Sequence, residues 1–309
     1  MKYKFTALVV TCLFLFSIFS GCTTVTTKDK NTVYVNVNGG ADYKSIQEAI
    51  NESPENFTIS VSPGVYYENI LINRSITLIG STAENTIIDA NGSGDVITIT
   101  EQGTLNISRF TLRNSGGGYT HSDYDAAIDI SSDHNRFDQL IIMDNEIGVY
   151  STNIAYNNFS NNTIHSNSNY GIYFYSSSNN NILKDNLFTN NSCALRIKGA
   201  RYNQIIRNIF EDNQRGMYFC CGAQLNTVYH NTFKNNSLWH GNDYVNNNDW
   251  DNGYPSGGNY WDDYEGNDDF TGENQNISGS DGIGDTPYNV TSDGDKQDYY
   301  PLMEPKAIE

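Results

Sequence analysis

The chain has 309 residues, with 18 lysines and arginines against 36 aspartates and glutamates, a formal charge of −18. Nucleic acids and anionic membrane surfaces are recognised through cationic patches, so this balance argues against both as partners. It suits neutral glycans, cations or plain solubility, and the length allows one long solenoid with a small cap.

Met1-Lys2-Tyr3-Lys4 is a positive stretch, and Phe5 to Phe19 is an apolar run of the length used for export. Residues 1–22 therefore read as an export signal that puts the chain outside the cytoplasmic membrane. Ser20-Gly21-Cys22 resembles the end of a lipoprotein signal, which implies that Cys22 is lipidated and becomes the new N-terminus. Phe19 stands where that pattern prefers leucine, and ordinary cleavage or an uncleaved anchor are the alternatives. Membrane contact is then through a lipid anchor only. Residues 23–31 are a polar Thr/Lys tether.

Val33-Tyr34-Val35 predicts a short strand. Asp42 can cap a helix over Tyr43–Ile50, with Tyr43, Ile46, Ala49 and Ile50 on one face. A solenoid exposes an apolar cross-section at its end, and such a helix can cover it. Strands are expected at Thr58–Ser62, Ile70–Ile72 and Ser75–Ile79, with a turn at Pro63-Gly64. Asp42 to Gly80 resembles the opening of pectin-lyase-like right-handed β-helices, in which a helix precedes the first coils and a Pro-Gly-x-Tyr turn follows the first strand. Ser115 to Tyr124 then interrupts the spacing as a Gly-rich insertion. Insertions in solenoids map to surface loops, often on the binding side.

From Asn135 to Asn236 one unit occurs five times. Phe137, Phe159, Ile182, Ile205 and Val228 recur, each two places after an asparagine: Asn135, Asn157, Asn180, Asn203, Asn226. A second apolar position follows at Ile142, Ile164, Phe188, Phe210 and Phe233. Asn145, Asn167, Asn191, Asn213 and Asn236 stand three places later. Four copies continue with a small residue and an apolar one, such as Gly148-Val149 and Gly171-Ile172. Ile172-Tyr173-Phe174-Tyr175 and Leu195-Arg196-Ile197-Lys198 alternate with period two, which is a strand signal. About 22 residues make three short strands and their turns, one coil of a parallel β-helix. Asparagines at a fixed turn position then stack at about 4.8 Å and can bond one another as a ladder. These copies resemble the repeats of the NosD-like group, also described as carbohydrate-binding and sugar-hydrolase domains. Residues 32–248 are thus expected to be an all-β, right-handed parallel β-helix with an N-terminal cap.

In register, the outward positions of the third strand are Asp129, Tyr150, Tyr173, Arg196 and Tyr218. Sugar rings stack on tyrosine, and arginine bonds hydroxyls or carboxylates as a fork. This column therefore suits a polysaccharide or cell-envelope glycan. The alternative is that these tyrosines pack on one another. Enzymes that this fold resembles use clustered carboxylates, and polygalacturonases carry an Arg-Ile-Lys that Arg196-Ile197-Lys198 matches, without their other motifs. No pair of acids is placed for general acid–base work, so no catalytic residue is assigned. The NosD resemblance also implies a copper-assembly role, yet the histidines fall in no single column and no copper-type cluster of His, Cys or Met occurs. Cys193, Cys220 and Cys221 show no metal spacing, and their pairing stays open.

Residues 249–309 change composition: thirteen acids between Asp249 and Tyr300 face only Lys296. This segment resembles the one that closes many β-helix repeat proteins. Trp250, Tyr254, Tyr260, Trp261, Tyr264, Tyr288 and Leu302 can cover the open end of the last coil. Asp281-Gly282-Ile283-Gly284-Asp285 suits a calcium loop, with Asp281 and Asp285 as ligands, and the alternative is an acidic, solvated loop. The functional reading is an exported, non-catalytic carbohydrate-binding or envelope structural protein. A polysaccharide lyase, hydrolase or epimerase and a NosD-like accessory factor are the alternatives.

Overall fold

Short runs of three to six residues carry inward, buried side chains, and between Arg136 and Lys234 a residue with positive φ follows each run. In Tyr170–Tyr175, Ile172 and Phe174 point inward and are fully buried. Such runs cannot extend far, because a left-handed residue turns the chain by a corner. The computed structural model describes residues 30–120, 123–245 and 247–307. The export signal, Cys22 and most of the tether lie outside the described residues, as do His121 and Ser122.

The strands pair into three parallel sheets that wind as a right-handed β-helix of about 9 turns. The first sheet has nine strands, from Thr32–Val35 to Thr227–Tyr229. The second has nine, from Gly64–Tyr66 to Tyr260–Trp261. The third has eight, from Ile70–Ile72 to Trp239–Asp243. Phe188, Phe210, Phe233, Trp261 and Tyr288 form a stack inside the second sheet, with centroids 4.8, 4.9, 4.3 and 4.2 Å apart. That stack carries the core directly into the C-terminal segment. The last coil runs past residue 248, since Tyr260 and Trp261 still pair with Thr232 and Phe233.

Three asparagine ladders line the corners. The first is Asn135, Asn157, Asn181, Asn203, Asn226 and Asn248. The second is Asn162, Asn186, Asn208, Asn231 and Asn259. The third is Asn145, Asn167, Asn191, Asn213 and Asn236. Each Oδ1 accepts two bonds from the asparagine one coil earlier, from its backbone N–H and from its Nδ2, as Asn203 does from Asn181 at 2.9 and 3.0 Å. The side chains are buried, where an amide left without partners costs about 1–3 kcal/mol per group.

The third ladder is the one expected from sequence, and the first departs from the expectation at Asn181 and extends it to Asn248. In the middle coil Asn181 joins the ladder and Leu183 the core, in place of Asn180 and Ile182. Asn180 takes the left-handed turn position, with φ 56°. The steps of the first ladder are therefore 22, 24, 22, 23 and 22 residues. The second ladder was missed altogether. Each ladder residue except Asn259 follows a left-handed one, for example Tyr156, Tyr202 and Leu225 in the first. Non-glycine residues there cost roughly 1–2 kcal/mol each, which the ladder bonds offset.

At the N-terminal end the helix spans Ile46–Glu52 and buries Ile46, Ala49 and Ile50. Its cap is Ser45, whose Oγ accepts from the Glu48 N–H at 3.2 Å, rather than the expected Asp42. Asp42 instead accepts from the Tyr34 N–H. Glu68, from the neighbouring coil, accepts from the Ile46 and Gln47 N–H groups at 2.9 and 2.8 Å. A carboxylate there also suits the positive end of the helix dipole. The Gly-rich insertion closes as a two-stranded antiparallel turn, Tyr119–Thr120 with Asp123–Tyr124. Among the described residues no helix is long and apolar enough to cross a membrane.

The ladder assignment separates two adjacent asparagines. Asn181→Ala is expected to destabilise the fold by about 3 kcal/mol, whereas Asn180→Gly, which keeps the left-handed turn, is expected to change it by only a few tenths. Urea denaturation of the two variants checks this; equal losses would mean that the ladder does not run through Asn181.

Candidate functional site

Three outward columns cover the third sheet. The middle one contains Asp129, Tyr150, Tyr173, Arg196 and Tyr218 in consecutive coils, continued by Asn242. On one side run Ile147, Tyr170, Cys193, Arg215 and Trp239. On the other run Thr152, Tyr175, Lys198 and Cys220. Neighbouring columns shade each other, so the outward side of this sheet is not uniformly open.

Tyr150 and Tyr173 are 4% and 3% exposed. They form a small outer core with Ala126 and Ile147, covered by Tyr124, Tyr170 and Tyr175. Tyr150 and Tyr173 meet edge to face at 5.7 Å, a favourable aromatic geometry. The two central tyrosines of the expected glycan column therefore pack on their neighbours and offer no open ring face. Arg196 sits among three rings, 5.3 Å from Tyr170, 4.8 Å from Tyr173 and 5.5 Å from Tyr218. Its Nη1 donates to the Tyr170 hydroxyl and its Nη2 faces Cys220 Sγ. Cation–π contacts of this kind contribute about 0.5–2 kcal/mol. Arg196 thus ties the aromatic face together from within.

Open aromatic surface begins where this outer core ends. A cavity of 420 Å³ is lined by Asn169, Tyr170, Ser192, Cys193, Arg215, Tyr218, Trp239, Asn242 and Tyr244. Trp239, Asn242 and Tyr244 also line a second cavity of 430 Å³, whose far wall is the C-terminal loop from Val290 to Lys296. The Tyr218 ring meets Trp239 at 6.0 Å and Tyr244 at 5.7 Å, and Tyr244 is 71% exposed. Of the residues expected from sequence, only Tyr218 lies on this cleft. Tyr170, Arg215 and Trp239 carried a usable signal, since they stand two or three places after a ladder asparagine, at the first outward position of the third strand.

The ladders build the floor beneath the cleft. Each passes its amide N–H groups toward the C-terminus, so each must finish on an acceptor. Asn248 Nδ2 donates to Asp243, which also accepts from Trp250 Nε1 at 3.1 Å. Asn259 donates to Asp298 through its backbone N–H at 2.7 Å, and Trp261 Nε1 donates to the same oxygen at 2.9 Å. Asn236 Nδ2 donates to His240 Nδ1 at 3.0 Å, and His240 Nε2 lies 2.8 Å from Asp262. Burial pushes the Asp243 carboxyl above the usual carboxylate range. Burial pushes Asp298 up to about 7, against the donors that hold it.

His240, Asp262 and Asp263 are, among the described residues, the group whose ligand atoms lie close enough to share a cation. The ladder decides what this histidine does. Asn213 donates twice to Asn236 Oδ1, so Asn236 cannot flip and must present its N–H to Nδ1. His240 Nδ1 is therefore an acceptor, its proton is on Nε2, and that proton is shared with Asp262. A metal on Nε2 would require that proton to leave.

The carboxylates expected to hold calcium are engaged locally. Asp281 accepts from Thr271 Oγ1, the Gly272 N–H, Gln275 Nε2 and the Ile283 N–H. Asp285 accepts from the Asp269 and Phe270 N–H groups. Cys193 and Cys220 are buried, Cys221 is exposed, and all three are free. Glu146, one coil before Asn169, is raised by its burial and by the charge of Asp125 at the end of the insertion.

Asp298 gives the cap a pH dependence with a definite sign. Its folded pKa of about 7 exceeds the unfolded value, so between about pH 4 and 7 the native state holds a proton that the unfolded chain has released. Its contribution to stability is complete at low pH and is lost as pH rises, with a slope of at most about 1.4 kcal/mol per pH unit that levels off above 7. Asp298→Asn is expected to remove this slope when wild type and variant are denatured across that window.

No curated protein sequence matches the chain. Among solved structures, a pectin methylesterase from carrot is 21% identical, with a TM-score of 0.43, over 63% of this chain and 62% of that one. The ORF18 protein of Geobacillus virus E2 is 16% identical, with a TM-score of 0.45, over 75% of this chain and 47% of that one. An alginate lyase from Paenibacillus sp. str. FPU-7 is 15% identical, with a TM-score of 0.41, over 74% and 97%. The chain thus spans less than two thirds of the carrot and viral proteins, and these likenesses concern architecture only. The family described as periplasmic copper-binding protein (NosD) matches residues 17–266, and the chain belongs to that family.

Proposed function

We propose that this protein is a non-catalytic carbohydrate-binding protein of the cell envelope, exported and tethered through a lipid on Cys22, that holds a glycan in the cleft between the third sheet and the C-terminal loop. The periplasmic description of the family supports a place outside the cytoplasmic membrane. The observation that carries the binding reading is the pair of adjoining cavities, walled by Tyr218, Trp239 and Tyr244 and edged by amides and hydroxyls. Aromatic faces take the apolar side of a sugar ring while Asn169, Ser192 and Asn242 meet its hydroxyls. In this reading Tyr150 and Tyr173 stiffen the face from below, with Arg196, and Asp129 lies farther along the same column.

A catalytic reading has one observation in its favour. Burial, and then the charge of Asp125, raise the Glu146 carboxyl, and Glu146 stands one coil from Asn169 at the end of the cleft. A raised carboxyl beside a cleft suits a general acid. Copper, named in the family description, has its nearest counterpart in His240, Asp262 and Asp263, where Asn236 already engages Nδ1 and Asp262 engages Nε2.

Retention on a polysaccharide array, read together with released reducing or unsaturated ends, separates these readings. Retention without products is expected, and Trp239→Ala combined with Tyr244→Ala is expected to weaken it at least tenfold, about 1.4 kcal/mol. Products that vanish in Glu146→Gln would replace the binding reading with the catalytic one.

A further inference from the structure

We infer that the 420 Å³ cavity selects an anionic saccharide, one bearing a carboxylate or sulfate on the ring that stacks against Trp239; this rests on the glycan-binding reading above. The chain carries twice as many acids as bases, yet the residues lining this cavity include no acid. Their one formal charge is that of Arg215, whose Nη1 donates to the neutral Gln214 side chain and which pairs with no carboxylate among the described residues. Behind the wall, Arg196 likewise has no carboxylate partner among the described residues, and its Nε is buried without an acceptor. Two guanidinium groups without a carboxylate partner among the described residues, one lining the cavity and one behind its tyrosines, are unexpected in a chain of charge −18 unless the missing charge comes with a ligand.

The hydrogen-bond polarity agrees. Tyr170 spends an oxygen lone pair on Arg196 Nη1, so its own hydroxyl proton is left to donate, and Tyr170 lines the cavity. The wall therefore offers a donor from Tyr170 and the fork of Arg215, an arrangement that suits a planar carboxylate or a sulfate oxygen pair. Trp239 neighbours Arg215 in the same outward column, which places a stacking face next to the charge. The adjoining 430 Å³ cavity is lined by Asp243, Asp293 and Asp295 as well as Lys296, so the anionic group is placed in the 420 Å³ cavity, which has no acid.

Calorimetric titration of the full chain tests this with three probes: a uronic-acid oligosaccharide, the same oligosaccharide with its carboxyls reduced to alcohols, and a sulfated one of equal length. The acidic probe is expected to bind at least tenfold tighter than its reduced counterpart. Arg215→Gln is expected to abolish that preference without changing affinity for the reduced one, and Arg215→Lys to restore part of it. Trp239→Ala weakens all probes that bind. Preference for the sulfated probe identifies sulfate as the anion, and preference for the uronate identifies carboxylate. Equal affinity for charged and reduced probes, indifferent to Arg215→Gln but lost in Trp239→Ala, overturns the anionic selection and leaves the glycan-binding reading standing. Binding of none of the three overturns both.

Discussion

The side-chain amide has a direction, and the whole solenoid depends on it. An asparagine at a corner gives two donors forward and accepts two behind, so a column of them is a one-way chain of hydrogen bonds along the helix axis. Inside the wall, where water cannot substitute, breaking one link leaves several groups unpaired at once. This is why the corners tolerate tyrosine, leucine and histidine in left-handed conformations: the residue that follows fixes the turn, and the residue in the turn is free to vary. The hydrophobic core sets the cross-section, and the ladders set the register from coil to coil.

A one-way chain must also begin and end. The beginnings are simple, because the Leu105, Leu140 and Ser115 N–H groups donate to the first amides. The ends require acceptors, and three serve: His240 and Asp243 on the last strand of the third sheet, and Asp298 in the C-terminal segment. Two of them also receive an indole N–H, from Trp250 and Trp261. The cap is thus joined to the repeats by polar termination as much as by apolar cover. The candidate site follows from this, since Asp243 lies under Asn242 and Tyr244 and its bonds to Trp250 and Asn248 hold the last strand of the third sheet. Function sits where the repeat is forced to stop being regular.

Much of this architecture was legible in the residues. The period-two runs and the recurrent asparagines gave the sheets, two of the corners and the register of the third-strand column. Tandem asparagines hid one assignment, because Asn180 and Asn181 are chemically alike and only the backbone tells which one turns. The second ladder carries a signal of the same kind, an asparagine two places before Ile164, Phe188, Phe210 and Phe233, and it emerges only once the corners are seen. Exposure was less legible than register. Whether Tyr150 is open depends on the size of side chains in the two flanking columns, which lie a strand length or a full coil away in sequence. Trp239 and Tyr244 fall just after the fifth copy, where the pattern of a small residue then an apolar one is broken by His240-Gly241. The acids of the C-terminal loop were visible, but the donors that engage Asp281 and Asp285 come from residues up to 16 positions away, and a ligand pattern alone does not show them.

The directional ladder is tested most directly at its end in His240, by nitrogen NMR of the imidazole in the native protein. The account predicts a proton on Nε2 and an unprotonated, hydrogen-bonded Nδ1, because Asn236 has only a donor left to offer. A proton found on Nδ1 would contradict it: Asn236 would then have to present its oxygen, the two bonds from Asn213 would be lost, and the column would not run one way.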